Sequence, residues 1–287
     1  MGRARSCTTS THEAATREPQ PPQLGAPVIE AAWRAIEQLN MPLDMRWLAL
    51  VACAAVLGGF MRGFVGFGGA LALVPVLALA LGPKLAVAVA SIVGLPSVLQ
   101  LLPEAVRHAE RKLVLPAAVA TLAGAPLGSL LLVSVEPRMM TGAIGVMVIA
   151  MALATWRPWP SAFVRRAWVP IAAGAISGML QGAAGVGGPP SVAVALARGG
   201  SPSQQRGNVL GLLTTIATGG AISHWWFGLF TQQAAVMAAF LLPLFFGATW
   251  AGSRFFAMGG QRHFRVAALG ILLVIGVATV AVAVRGG

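Results

Sequence analysis

The chain has 287 residues, 57% of them hydrophobic and 10% charged, with a formal net charge of +12. Soluble domains carry roughly 25% charged residues, so a mean hydropathy of +0.78 excludes an ordinary soluble protein and indicates an all-α polytopic membrane protein. Arg and Lys gather in short breaks between apolar runs, at Arg107, Arg111 and Lys112, at Arg157, Arg165 and Arg166, and at Arg254, Arg262 and Arg265. That is the pattern of loops held on the cytoplasmic side, so the bilayer, not nucleic acid, is the expected partner.

Residues 1–44 form a polar tail with Pro19, Pro21, Pro22 and Pro27 close together. Such a stretch buries too little apolar surface to offset its ordering entropy, and it lacks the apolar core of a signal peptide. It is expected to be disordered and dispensable, with Met41 and Met45 as alternative starts just ahead of the first apolar run.

Five apolar segments follow in a first repeat, residues 45–155, at about 47–66, 68–81, 85–102, 113–133 and 139–155. A cytoplasmic linker at 156–166 leads to a second repeat, residues 167–287. Its segments are expected at about 167–184, 187–197, 207–227, 233–256 and 264–284. The second segment of each repeat is too short to span, since a membrane helix needs roughly 20 residues. Both are expected to be half-helices or arms of re-entrant hairpins, which are stable only when packed on protein or lining a cavity. Five segments per repeat would invert one half relative to the other; four plus four spans is the rival arrangement. Alternation then places the breaks at 107–112, 156–166, 198–206 and 254–265 inside and the uncharged turn at 231–233 outside.

The most informative feature is a repeated glycine pattern. Gly63, Gly66, Gly68 and Gly69 recur as Gly182, Gly185, Gly187 and Gly188 at a constant separation of 119 residues (182 − 63), which Gly59 and Gly178 also keep. Matched glycine-interrupted segments in two halves of a membrane protein point to a transporter's binding site.

At these motifs the chain resembles the sulfite exporter TauE/SafE family of permeases. The matching residues are Gly59-Phe60-x-x-Gly63-x-x-Gly66-Phe67-Gly68-Gly69, followed by Pro75, and Gly178-x-x-x-Gly182-x-x-Gly185-x-Gly187-Gly188-Pro189-Pro190. The resemblance spans about Trp47 to Val284 and leaves out the tail. Ala70 stands where relatives often carry a further glycine. What the resemblance implies is a multi-pass permease moving small anions, commonly sulfite or organosulfonates, across the bacterial inner membrane. The family is broad in substrate, so the cargo is not named by membership.

Arg62 lies inside the first motif among Phe60, Met61, Phe64 and Val65. A charge at membrane depth is costly and normally faces a cavity or a partner. Its guanidinium either grips an anion with parallel N–H donors or snorkels to headgroups. Gln181 holds the equivalent place in the second repeat. Backbone N–H groups around Gly66, Gly68, Gly69, Gly185, Gly187, Gly188 and Pro189 are the other expected anion contacts, because an interrupted helix exposes a new N-terminus. Asn208, Thr214, Thr215 and Ser191 are candidate neutral donors. His224, beside Trp225 and Trp226, is expected to anchor at the interface.

After Asp44 the only carboxylates are Glu104, Glu110 and Glu136, all in breaks, so no acidic relay at membrane depth is expected. Neither a His-Glu-x-x-His motif, a phosphate-binding loop nor a Gly-x-Ser-x-Gly elbow is present. The expectation is a transporter with no catalytic residue, metal or cofactor, compatible with a homo-oligomer. An anion channel is the closest alternative, and a non-transporting anchor or receptor subunit the next.

Overall fold

The computed structural model describes residues 45–65, 68–154 and 161–257, together with Val277 and Ala281. The tail at 1–44, Gly66, residues 156–160 of the linker and most of the final segment at 264–284 lie outside the described residues. Ten helices are described: α1 (Met45–Val65), α2 (Gly69–Leu81), α3 (Pro83–His108), α4 (Arg111–Ser134), α5 (Pro137–Ala154), α6 (Ser161–Val164), α7 (Trp168–Ala184), α8 (Gly188–Ala197), α9 (Pro202–Trp226) and α10 (Gln232–Ala257). No strand occurs among the described residues.

Among the described residues, three helices are long and apolar enough to cross a bilayer, over Met45–Phe64, Arg111–Ser134 and Gln232–Phe255. The α3 and α9 helices are as long, at 26 and 25 residues, yet carry more polar side chains. They pack on one another at the centre, where a helix need not be apolar all round. On α4, by contrast, Leu115, Val119, Leu122 and Leu130 are exposed along one face, the surface expected to meet lipid.

The short helices double back. Gly187 sits against the Ser177 carbonyl, the Ser177 and Ser191 hydroxyls are 2.7 Å apart, and Ser191 donates on to the Ala173 carbonyl. Thus α8 runs antiparallel to α7. In the first half, a Cβ on Gly58 would lie 2.5 Å from the Gly69 carbonyl, so α2 likewise turns back along α1.

Two glycine seams hold the hairpins. On α4 and α7, a Cβ on Gly174, Gly178 or Gly182 would strike the carbonyls of Ala117, Thr121 and Ala125, and one on Gly128 would strike that of Met179. On α1 and α10, Gly59 and Gly63 meet the Phe245 and Thr249 carbonyls, while Gly252 meets that of Phe60. Both pairs run parallel. Small residues four apart are what allow membrane helices to come this close.

The basic breaks gather at one end. Arg198 pairs with Glu110 at 3.1 Å, Arg165 donates to the Arg198 carbonyl at 3.4 Å, and Gly207 abuts His108. Two helices begin or end deeper in these breaks than the apolar pattern predicts. Ser201 caps α9 by accepting from Gln204 N–H, with Pro202 at the first helical position, so the helix starts at 202 instead of 207. Likewise α3 continues to His108, leaving only Ala109 and Glu110 before α4.

Candidate functional site

The tips of the two hairpins meet at a cavity of about 70 Å³. Its first wall comes from Arg62 near the end of α1 with Gly68 and Gly69 at the start of α2. Gln181, Gly185, Gly188 and Pro189 of the α7–α8 tip form the second wall. The central helices close it, α3 through Ser91 and Gly94, α9 through Leu213 and Ile216.

Each tip turns on a left-handed glycine, Gly68 with φ +94° and Gly185 with φ +67°. A side chain there would be strained whatever space surrounded it. Gly68 is otherwise roomy: an added Cβ would touch only Leu71 and Met61, at 3.8 Å. Gly187 is the reverse case. Its backbone is ordinary, but a Cβ would collide with the Ser177 carbonyl and lie 2.7 Å from the Gln181 Cβ.

The two helix starts differ in what they offer. The first residues of a helix have N–H groups without an intrahelical acceptor, so Gly69 and Ala70 of α2 present donors beside Arg62. In α8 the second and third residues are Pro189 and Pro190, which carry no N–H, leaving Gly188. The neighbouring Gly187 N–H is occupied by Gln181 Oε1 at 3.1 Å. That bond orients Gln181, whose stem lies against the bare Cα of Gly220, 2.5 Å from where a Cβ would be.

Arg62 is half-buried, lines the cavity, and has no hydrogen-bond or ion-pair partner among the described residues. Glu110 is engaged by Arg198 at the basic end. The cavity therefore has a cation, helix-start N–H groups and a carboxamide, with no carboxylate among its lining residues.

Of the residues expected to bind substrate, Arg62, Gly68, Gly69, Gln181, Gly185, Gly188 and Pro189 line this one cavity, and Gly187 does not line it but donates its N–H to Gln181. Gly66 lies outside the described residues. Asn208 is elsewhere: its Oδ1 accepts the Glu110 N–H at 2.7 Å, fastening α9 to the α3–α4 break. Thr214 and Thr215 face a separate apolar groove of about 380 Å³ beside Arg111, their hydroxyls bonded to the Leu210 and Leu212 carbonyls.

His224 departs from its expected place. Trp225 and Trp226 are 68% and 79% exposed, but His224 is 0% exposed. One step along a helix turns a side chain by about 100°, so the tryptophans face outward while the imidazole faces the core. There it bonds to Ser91 and to the Gly182 carbonyl. Ser91 is a cavity residue that sequence reasoning missed; a lone serine on an apolar helix carries no signal of its own.

A family model described as Sulfite exporter TauE/SafE matches residues 51–279. No curated protein and no solved structure matches the chain. Both hairpin tips and every wall of the cavity fall inside the matched span, and the chain belongs to the sulfite exporter TauE/SafE family of membrane transporters.

Proposed function

We infer that this protein is a permease carrying small anions, such as sulfite, organosulfonates or related organic acids, across the bacterial inner membrane. The observation that carries this reading is an arginine with no carboxylate partner among the described residues, facing the cavity where two helix interruptions converge. Arg62 supplies the charge, Gly69 and Ala70 supply backbone donors, and Gln181 supplies a neutral carboxamide. A space of about 70 Å³ equals that of only a few waters at roughly 10–15 Å³ each, which favours compact oxyanions over long organic acids.

The two halves form an inverted repeat in this reading. Supporting it, α2 and α8 start 119 residues apart (188 − 69), as α3 and α9 do (202 − 83). The seams correspond as well: Gly59 and Gly63 meet α10 as Gly178 and Gly182 meet α4. The basic end is cytoplasmic by charge.

The test is uptake of labelled sulfite and methanesulfonate into vesicles containing the protein. Arg62→Gln should lower uptake by about tenfold or more at equal abundance, the size expected for losing charge-assisted hydrogen bonds. Arg62→Lys should rescue poorly, since an ammonium lacks the planar fork. Wild-type rates in well-inserted Arg62→Gln protein would move the site elsewhere. Steady single-channel currents from the wild type would make the protein a channel.

A further inference from the structure

Among the described residues, His224 is the one titratable side chain that is buried, and anion binding as described above makes no use of it. Its surroundings fix its tautomer. Nε2 lies 3.0 Å from the Gly182 carbonyl, which has only lone pairs to offer, so Nε2 carries the hydrogen. That carbonyl is one of those left open where α7 breaks off, and Ser129, itself bonded to Ser223, donates to it as well. In the neutral ring Nδ1 is then bare, and the Ser91 hydroxyl, 2.9 Å away, must donate to it. Ser91 borders the anion cavity. With its hydrogen turned toward His224, it shows lone pairs to the cavity, the wrong polarity for an anion.

A proton arriving at Nδ1 reverses this bond. The ring becomes a donor at both nitrogens, Nδ1–H donates to Ser91 Oγ, and the serine hydrogen has to find another acceptor. An anion in the cavity is that acceptor. The imidazolium also places a positive charge one hydrogen bond from the site. Proton and anion therefore strengthen each other's binding, and by linkage they do so to the same degree.

The charged groups around His224 leave it this role. The α7 helix carries none between Trp168 and Ala184. On α9 itself the nearest is Arg206, about 27 Å away along the helix. On α3, Lys84 is two turns from Ser91 with its ammonium on the Val133 carbonyl, while Glu104, Arg107 and His108 are at the far end. Arg111 and Lys112 begin α4 at that far end, and Arg254 ends α10 there. Glu136 and Arg138 sit at the α4–α5 turn. Phe230 covers the ring edge-on, with centroids 6.4 Å apart. Arg62, across the cavity, is the charge that shares the site.

We propose that His224 is the proton-binding site of the transport cycle, taking up one proton at Nδ1 with each anion, so that anion and proton cross the membrane together; this rests on the anion-site reading. The one bond made is Nδ1–H, formed with a proton taken from the aqueous side where the anion loads and broken when that proton leaves with the anion on the other side.

The test uses the full chain in vesicles, with the membrane potential clamped, the interior about one pH unit more alkaline, and labelled methanesulfonate and sulfite as probes. Uptake into protein-free vesicles is subtracted. Wild-type protein should accumulate methanesulfonate up to about tenfold over the external concentration, the ratio set by one proton per monoanion, and a protonophore should abolish it. His224→Gln keeps an N–H for Gly182 but takes up no proton; whatever its rate, the anion should only equilibrate. Ser91→Ala keeps the imidazole and its charge but removes the hydroxyl, and should accumulate less than the wild type, whereas Ser91→Thr should restore accumulation. Gradient-driven accumulation by His224→Gln, accumulation by Ser91→Ala equal to the wild type's, or wild-type uptake that ignores the gradient would overturn the proposal. If His224→Gln fails to insert, the Ser91 pair decides alone. Wild-type protein that moves neither probe would instead remove the anion-site reading beneath it.

Discussion

Gly68 and Gly187 occupy matching places in the two motifs but are glycine for different reasons. At Gly68 the constraint is a φ of +94° with open space around it; at Gly187 it is space alone. Asn visits the left-handed region more readily than Ala, for which the cost is about 1–2 kcal/mol. Gly68→Asn should therefore retain more folded protein than Gly68→Ala, measured by detergent-solubilised thermal unfolding. Gly187 should tolerate neither substitution, because the obstruction is the Ser177 backbone. Equal tolerance at the two positions would refute this division. Asn208, expected to touch substrate, is a fastener in the structure. Asn208→Ala leaves the Glu110 N–H without its acceptor, a loss of about 1–3 kcal/mol. It should lower the unfolding temperature while leaving the apparent affinity for the anion unchanged.

At the level of the helices, much was legible before the structure. Glycine and proline punctuate sharply, so the breaks around Gly68 and Gly185 and the short lengths of α2 and α8 follow from residue type alone. The start of α9 was hidden because Gln204, Gln205 and Arg206 look like a loop, although Ser201-Pro202 is a cap and first-turn signal. His224 was hidden for a deeper reason. Its partners are 133 and 42 residues away, and nothing in its neighbours Trp225 and Trp226 reports a contact made across the fold. The seams were visible as glycines but not as pairs. They predict that Gly178→Leu, which forces α7 away from Thr121, should reduce insertion or abundance. The same change at Gly247, which has open space around it, should be nearly silent. Comparable abundance of the two variants in membranes would argue against the seam as a determinant of folding.

Across the whole molecule, the charge pattern and the contacts converge on one basic end formed by the breaks at 107–112, 161–166 and 198–206. With that end in the cytoplasm, single cysteines at Arg107, Arg166 and Ser203 should react only with permeant reagents, and one at Gln232 with impermeant reagents from outside. Opposite accessibility of Arg107 and Arg166 would break the inverted arrangement. The seams also bear on how the protein is made. Each hairpin's glycine face is completed by a helix from the other half, α1 by α10 and α7 by α4. While the ribosome is still synthesising the second half, α1 waits in the bilayer with its carbonyls and bare glycine ridge uncovered. A fragment halted before α10 should thus be a short-lived target of membrane quality control, and supplying the second half as a separate polypeptide should prolong its survival.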